Sequence, residues 1–186
     1  MNPAVTSKEM ILGACREIIM KQGWAAINIR AVAAACDISV GSVYNYFDSK
    51  SDLVAAAVES VWCDIFHVPE NQQVMDDFIK CVEWIFDSMR KGDEKYPGFF
   101  NLHSVSFMGE EKNGGQQLMA QSWRHIQEGL CTVLRNDKKI RQDVFDKDFT
   151  RQKFSEIIFS LIISALLRHD YDHTGIDAMI RKVIYE

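Results

Sequence analysis

The sequence predicts an all-α protein in two parts, a small N-terminal domain of three short helices over residues 1–50 and a larger helical domain over residues 51–186. Three observations carry that expectation. Only three prolines occur in 186 residues, most of the ten glycines cluster at a few breaks, and apolar residues recur at three-to-four spacing while β-branched alternation is nowhere sustained.

The first helix is announced by Thr6 and Glu9, which have the spacing of a capping box. Met10, Ile11, Ala14, Cys15, Ile18 and Ile19 then form a core-facing stripe, and Gly23 is placed to end the helix in the left-handed conformation. Asn28 caps a second, short helix from Ile29 to Ala35, whose buried stripe is Ile29, Val32 and Ala33. Cys36, Asp37 and Ile38 make a turn. Ser39 caps a third helix ending near Phe47, with Val43 and Phe47 as packing residues, and Ser49 with Asp52 repeats the box pattern to start a fourth. The remaining segments are amphipathic: 74–91, 99–108, 116–134, 149–169 and 175–185, separated at Gly92-Asp93, Pro97-Gly98, Gly114-Gly115 and the charged stretch 136–148.

Composition bounds the function. With 47% apolar and 25% charged residues the chain can bury a sizeable core. No run approaches the roughly 18 consecutive apolar residues of a membrane span, and the N-terminus lacks the pattern of a secretion signal, so a cytoplasmic protein is expected. Five cysteines, widely spaced and without a C-x-x-C pair, suggest neither a disulfide framework nor a thiolate metal site. The net charge of -5 argues mildly against nucleic acid as a partner, because phosphate affinity comes from Lys and Arg releasing counterions. Residues 1–60 carry five basic against six acidic groups, so a case for nucleic-acid binding must rest on where the charges sit.

The segment SVGSVYNYFDSKSDL, Ser39 to Leu53, makes that case. A merely structural helix would use Leu, Ala, Glu and Lys, which lose least rotamer freedom; this one spends its positions on hydrogen-bonding groups. Two short helices joined by a tight turn, the second rich in such groups, describe a helix-turn-helix whose second helix enters the major groove. Gly41 and Ser42 let the backbone approach base edges, Asn45 is a bidentate reader of adenine, and Tyr44 and Tyr46 reach phosphates with their hydroxyls. Lys50 adds its ammonium to a helix N-terminus as a phosphate clamp.

The pattern G-W-x-x-x-N-I-R-x-V-A-x-x-x-x-I-S-x-G-S-V-Y-x-Y-F-x-S-K-x-x-L resembles the TetR-type transcriptional regulators over about Met10 to Leu53. The resemblance implies a homodimer with an N-terminal DNA-binding domain, a C-terminal domain that binds a small effector, and repression relieved by that effector. Carried over residue by residue, it has Ser39 opening the recognition helix, Val40, Gly41, Ser42, Asn45 and Tyr46 facing bases with Arg30 near a guanine, and Tyr44 and Lys50 on phosphates. Tyr46 also reads as hydrophobic packing. Two positions depart from the family pattern: Asn28 stands where threonine is usual, and Asp37 where the glycine of the turn is usual.

In the second part, Phe154 to Leu167 is apolar on nearly all sides, so both faces need cover. One face goes to the core and the other to a second copy of the chain, giving an isologous four-helix interface of Phe154, Ile158, Leu161, Ile162 and Ala165 with Ile176, Met179, Ile180 and Val183; the alternative is a core helix covered entirely within the chain. Trp62, Phe66, Trp84, Phe100, Phe107, Met119 and Trp123 are candidates to line a partly apolar effector pocket, with His103 as a polar anchor. Each taken singly reads more readily as core. His169 and His173 sit four apart at a helix end and read as terminal histidines rather than metal ligands. No cofactor is implied, and no nucleophile-base-orienter set points to an enzyme. The competing class is a regulator-like fold that docks a protein partner without binding DNA.

Overall fold

The computed structural model describes residues 6–67, 75–100 and 114–186, the side chains of 114–122 excepted. Every regular element among them is helical: α1 (Lys8–Gln22), α2 (Ile29–Ala35), α3 (Val40–Tyr44), α4 (Lys50–Ile65), α5 (Phe78–Lys95), α6 (Gly114–Asn136), α7 (Arg151–Arg168) and α8 (Thr174–Ile180), which runs on into a π-helical turn over Arg181–Tyr185. None of these helices is long and apolar enough to cross a membrane.

The chain divides into two compact units, residues 1–65 with 92–118, and 66–91 with 119–186. The first unit reaches past residue 50 because α4 packs along α1, burying Leu53, Ala57 and Val61 with Ile11, Cys15 and Ile19. Burial pushes the Cys15 thiol up to about 12, with the charge of Cys36 adding to the effect, so this cysteine is an inert core group. Trp24, Trp62, Tyr96, Phe99 and Phe100 form an aromatic cluster in the same unit, with centroids 5.6–6.3 Å apart and rings tilted or edge-on, the geometry the ring quadrupoles favour.

Several sequence expectations need correction. The cap of α1 is Ser7 rather than Thr6: the Ser7 hydroxyl accepts from the Met10 amide at 3.1 Å, while Glu9 pairs with Arg16 at 2.8 Å instead of reaching back. Gly23 does take a positive φ of 78°, but with an extended ψ of 171°. Gly92 is no break. It lies inside α5, where a Cβ would stand 2.9 Å from Ile65 Cγ2, so the close approach of α4 demands glycine there. Gly114 and Gly115 open α6 rather than separate segments.

In the second unit Asp137 is the main polar fastener. Its buried carboxylate accepts from the Phe78 amide at 2.9 Å, the Lys139 amide at 2.9 Å and the Tyr185 hydroxyl. It thereby caps α5 and ties down the C-terminal turn. Five residues expected at an interface between copies, Phe154, Ile158, Ile162, Ala165 and Ile180, are at most 3% exposed within the single chain. They are its own core. The uncovered side of α7 is a neighbouring stripe: Ile157, Ser160, Ser164 and Leu167 are exposed and Leu161 half-buried, at the spacing of one helix face.

Candidate nucleic-acid interface

The local sequence dictates the geometry of α2, the turn and α3. Asn28 accepts from the Ala31 amide at 2.9 Å and starts α2. Asp37 takes φ 53°, the left-handed conformation that reverses the chain between the helices, and aspartate tolerates it better than most side chains. Ser39 then accepts from the Ser42 amide at 3.0 Å, and its hydroxyl lies 2.8 Å from that of Ser42. Val32, Ala33, Val43 and Phe47 are buried and lock α2 against α3.

Locking that face inward turns the other outward. Arg30, Ser39, Val40, Gly41, Tyr44, Asn45, Tyr46 and Lys50 are all exposed, and Ser42 is half-buried. Val40 and Tyr44, 41% and 48% exposed, rank among the most exposed large apolar side chains described. Neither Arg30 nor Lys50 has a carboxylate within 4 Å among the described residues. At the start of α4, Ser49 accepts from the Asp52 amide at 3.1 Å and donates to the Asp52 carboxylate at 2.8 Å. The amides of Lys50 and Ser51 stay clear of that cap and, as first-turn donors, have no intrahelical partner.

One predicted contact residue is engaged inside the chain. The Tyr46 hydroxyl donates to the backbone carbonyl of Thr6, so its one proton is spent on tying the entry of α1 to the end of the recognition segment. Lys8 sits over the Phe47 ring at 5.5 Å beside it. Sequence reasoning missed this tie, because a backbone carbonyl forty residues away leaves no side-chain signal.

Residues 11–57, which span α2, the turn, α3 and the start of α4, match the sequence model of the tetR family of bacterial regulatory proteins. The resemblance to that family rests on this N-terminal segment. Over 51 residues it is 41% identical to the HTH-type transcriptional repressor KstR of Mycolicibacterium smegmatis and to that of Mycobacterium tuberculosis. The aligned stretch is 27% of this chain and 25% and 23% of those proteins, so the chain spans about a quarter of the length of the curated relatives it matches. The fold is similar to that of SCO7222, a TetR from Streptomyces coelicolor, with TM-score 0.63 at 17% identity over 93% of this chain and 76% of that one. It is also similar to the reduced form of E. coli NemR, at TM-score 0.65, 12% identity, and 95% and 96% coverage. BioQ with its natural double-stranded DNA operator shares it at TM-score 0.55, 15% identity, and 96% and 98% coverage. At such identities the likeness is one of fold.

The described effector-pocket candidates pack within their own units. Trp62 and Phe100 are packed in the aromatic cluster of the first unit. Phe66 meets Trp84 edge-on at 6.2 Å, and Trp123 meets Phe159 at 5.2 Å, both in the second unit. His103, Phe107 and the Met119 side chain lie outside the described residues. Two cavities, of about 410 and 310 Å³, are lined by none of the five described candidates. His169 takes the left-handed position that ends α7, and His173 Nδ1 lies 2.7 Å from the Asp177 carboxylate with its ring against Phe86. The described residues contain no group of three His, Cys, Asp or Glu able to hold a metal ion.

Proposed function

We propose that this protein is a homodimeric transcriptional repressor that binds a pseudo-palindromic operator in double-stranded DNA and is released by a small, partly apolar effector. The observation that supports this most is the outward face of α2 and α3: a capped helix offering Val40, Gly41, Tyr44 and Asn45, flanked by the exposed Arg30 and Lys50. In this reading Asn45 and Arg30 read base edges, and Val40 packs on a thymine methyl. Tyr44 and Lys50 hold phosphates, Lys50 together with the free amides at the start of α4. Tyr46 is assigned to holding the N-terminal segment rather than DNA. A two-fold protein pairs with a two-fold site, half-sites one or more helical turns apart. An effector would act by binding one of two dimer states more tightly, since equal affinity shifts nothing.

Selection of bound duplexes from a randomised library at moderate salt tests the reading. Enrichment of an inverted repeat is the expected result. A folded protein that enriches no sequence would overturn it.

A further inference from the structure

The cavity of about 410 Å³ in the second unit is lined by two arginines, neither in a salt bridge among the described residues. Arg135, in the last turn of α6, donates to the Cys131 thiol at 3.3 Å. Arg151 is the first residue of α7, its guanidinium 4.7 Å over the Phe145 ring. No carboxylate lies within 4 Å of either among the described residues. Both line the same space of about 410 Å³, within the size range of small-molecule sites. We propose that this cavity, between the end of α6 and the start of α7, binds a small organic anion, a carboxylate on a compact apolar body, gripped by Arg135 and Arg151.

The position of Arg151 is the informative part. A cation on the first turn of an 18-residue helix opposes the helix dipole, which favours anions there. A residue that is locally unfavourable and makes no salt bridge among the described residues is where function rather than stability is to be sought. Its side chain is nonetheless held. Phe145 is itself stacked with Phe149, at 5.8 Å and 23° between planes, so the guanidinium rests on a braced aromatic ring. A guanidinium held over a ring in this way can still offer its N–H groups to a carboxylate through two parallel hydrogen bonds.

Asp146 also lines the cavity, and its charge has to be met. One of its oxygens accepts from the amides of Asp148 at 2.8 Å and Phe149 at 2.7 Å, which hold the carboxyl below its ordinary range. It offsets one of the two guanidinium charges and leaves a net positive wall. Cys131 and Phe145 supply apolar surface, which selects an organic anion over a bare oxyanion.

The test needs no DNA, so it stands or falls apart from the operator reading. Fluorine NMR titration of the full chain with 4-fluorobenzoate reads binding directly. Saturable binding is expected, weakened about tenfold or more in Arg135→Met and in Arg151→Met, and unchanged in Arg181→Met, an exposed arginine on the C-terminal turn. Circular dichroism establishes first that each variant folds. Should Arg151→Met not fold, Arg151→Lys carries the test, because it keeps the charge but lacks the planar fork and should still bind several-fold more weakly. Absence of saturable binding up to about 10 mM, variants that bind as the parent does, or inorganic phosphate binding as tightly as the benzoate would each overturn the proposal.

Discussion

Gly41 separates what the fold requires from what a partner requires. Among the described residues a Cβ at that position would meet only the Ser39 hydroxyl oxygen, at the ordinary contact distance of 3.7 Å. Nothing among the described residues demands glycine, so the room it leaves serves something outside. Gly41→Ala should therefore leave thermal stability unchanged or raise it by up to about 1 kcal/mol, the helix-propensity gain, while weakening operator binding in a mobility-shift titration. Loss of stability instead would place the constraint within the chain. Lys50 is tested by its salt dependence: Lys50→Ala should weaken binding to all sequences alike and lower the slope of log K against log salt by about one. Gly41 and Lys50 were legible from sequence because their roles are local. A cap, a turn and a missing side chain are set within four residues of one another. Tyr46 was only half legible, since its partner is the Thr6 carbonyl, forty residues away.

Pairs of helices are held by single positions, and Gly92 against Ile65 is the sharpest case. Three Ile65 side-chain atoms lie within 2.9–3.0 Å of where a Cβ would stand, and Ile65 is buried. Gly92→Ala should destabilise the protein by about 1–3 kcal/mol, the usual cost of overpacking, despite its better helix propensity. Combined with Ile65→Val it should cost less than the two changes summed, a coupling that denaturant melts measure. The sequence offered Gly92 as a break because a glycine that permits close packing and one that ends a helix look the same without a third dimension. Near it, Asp64 accepts from Lys95 at 2.6 Å and from the Tyr96 hydroxyl at 2.8 Å. Burial raises its carboxyl, but the hydrogen bonds and charges of Lys95, Tyr96 and Arg16 outweigh that and hold it below the ordinary carboxylate range. A group depressed in the folded state contributes stability above its unfolded value and loses it as pH falls through the folded one. The melting temperature of Asp64→Asn should lie below the parent's near neutrality, and the gap should close as pH drops below about 4. A gap independent of pH would reject an electrostatic role.

At the scale of the whole molecule the question is what covers α7. The segment Phe154 to Leu167 was legible as needing cover on both faces, but periodicity alone could not say which face turned inward. The packing of the second unit decides it: Ile158, Phe159 and Ile162 face the core, while Ile157 and Leu167 stay 47% and 43% exposed in the single chain. Between them Ser160 and Ser164 keep the stripe narrow. The Ser160 hydroxyl returns its proton to the Glu156 carbonyl at 2.8 Å, so it presents little polar demand to a neighbour. A helix face of this shape lets another helix approach closely, and a copy related by a two-fold axis would bring the same stripe to meet it. Ile157→Glu puts a charge into the middle of that contact and touches nothing in the core of the single chain. The parent is expected to sediment as a dimer of the 21.3 kDa chain, and the variant as a folded monomer with operator affinity lost, since one recognition helix grips only one half-site. Ile158→Glu, by contrast, should unfold the chain outright, because that side chain has no exposure at all. An Ile157→Glu protein that remained dimeric would move the interface off this face of α7.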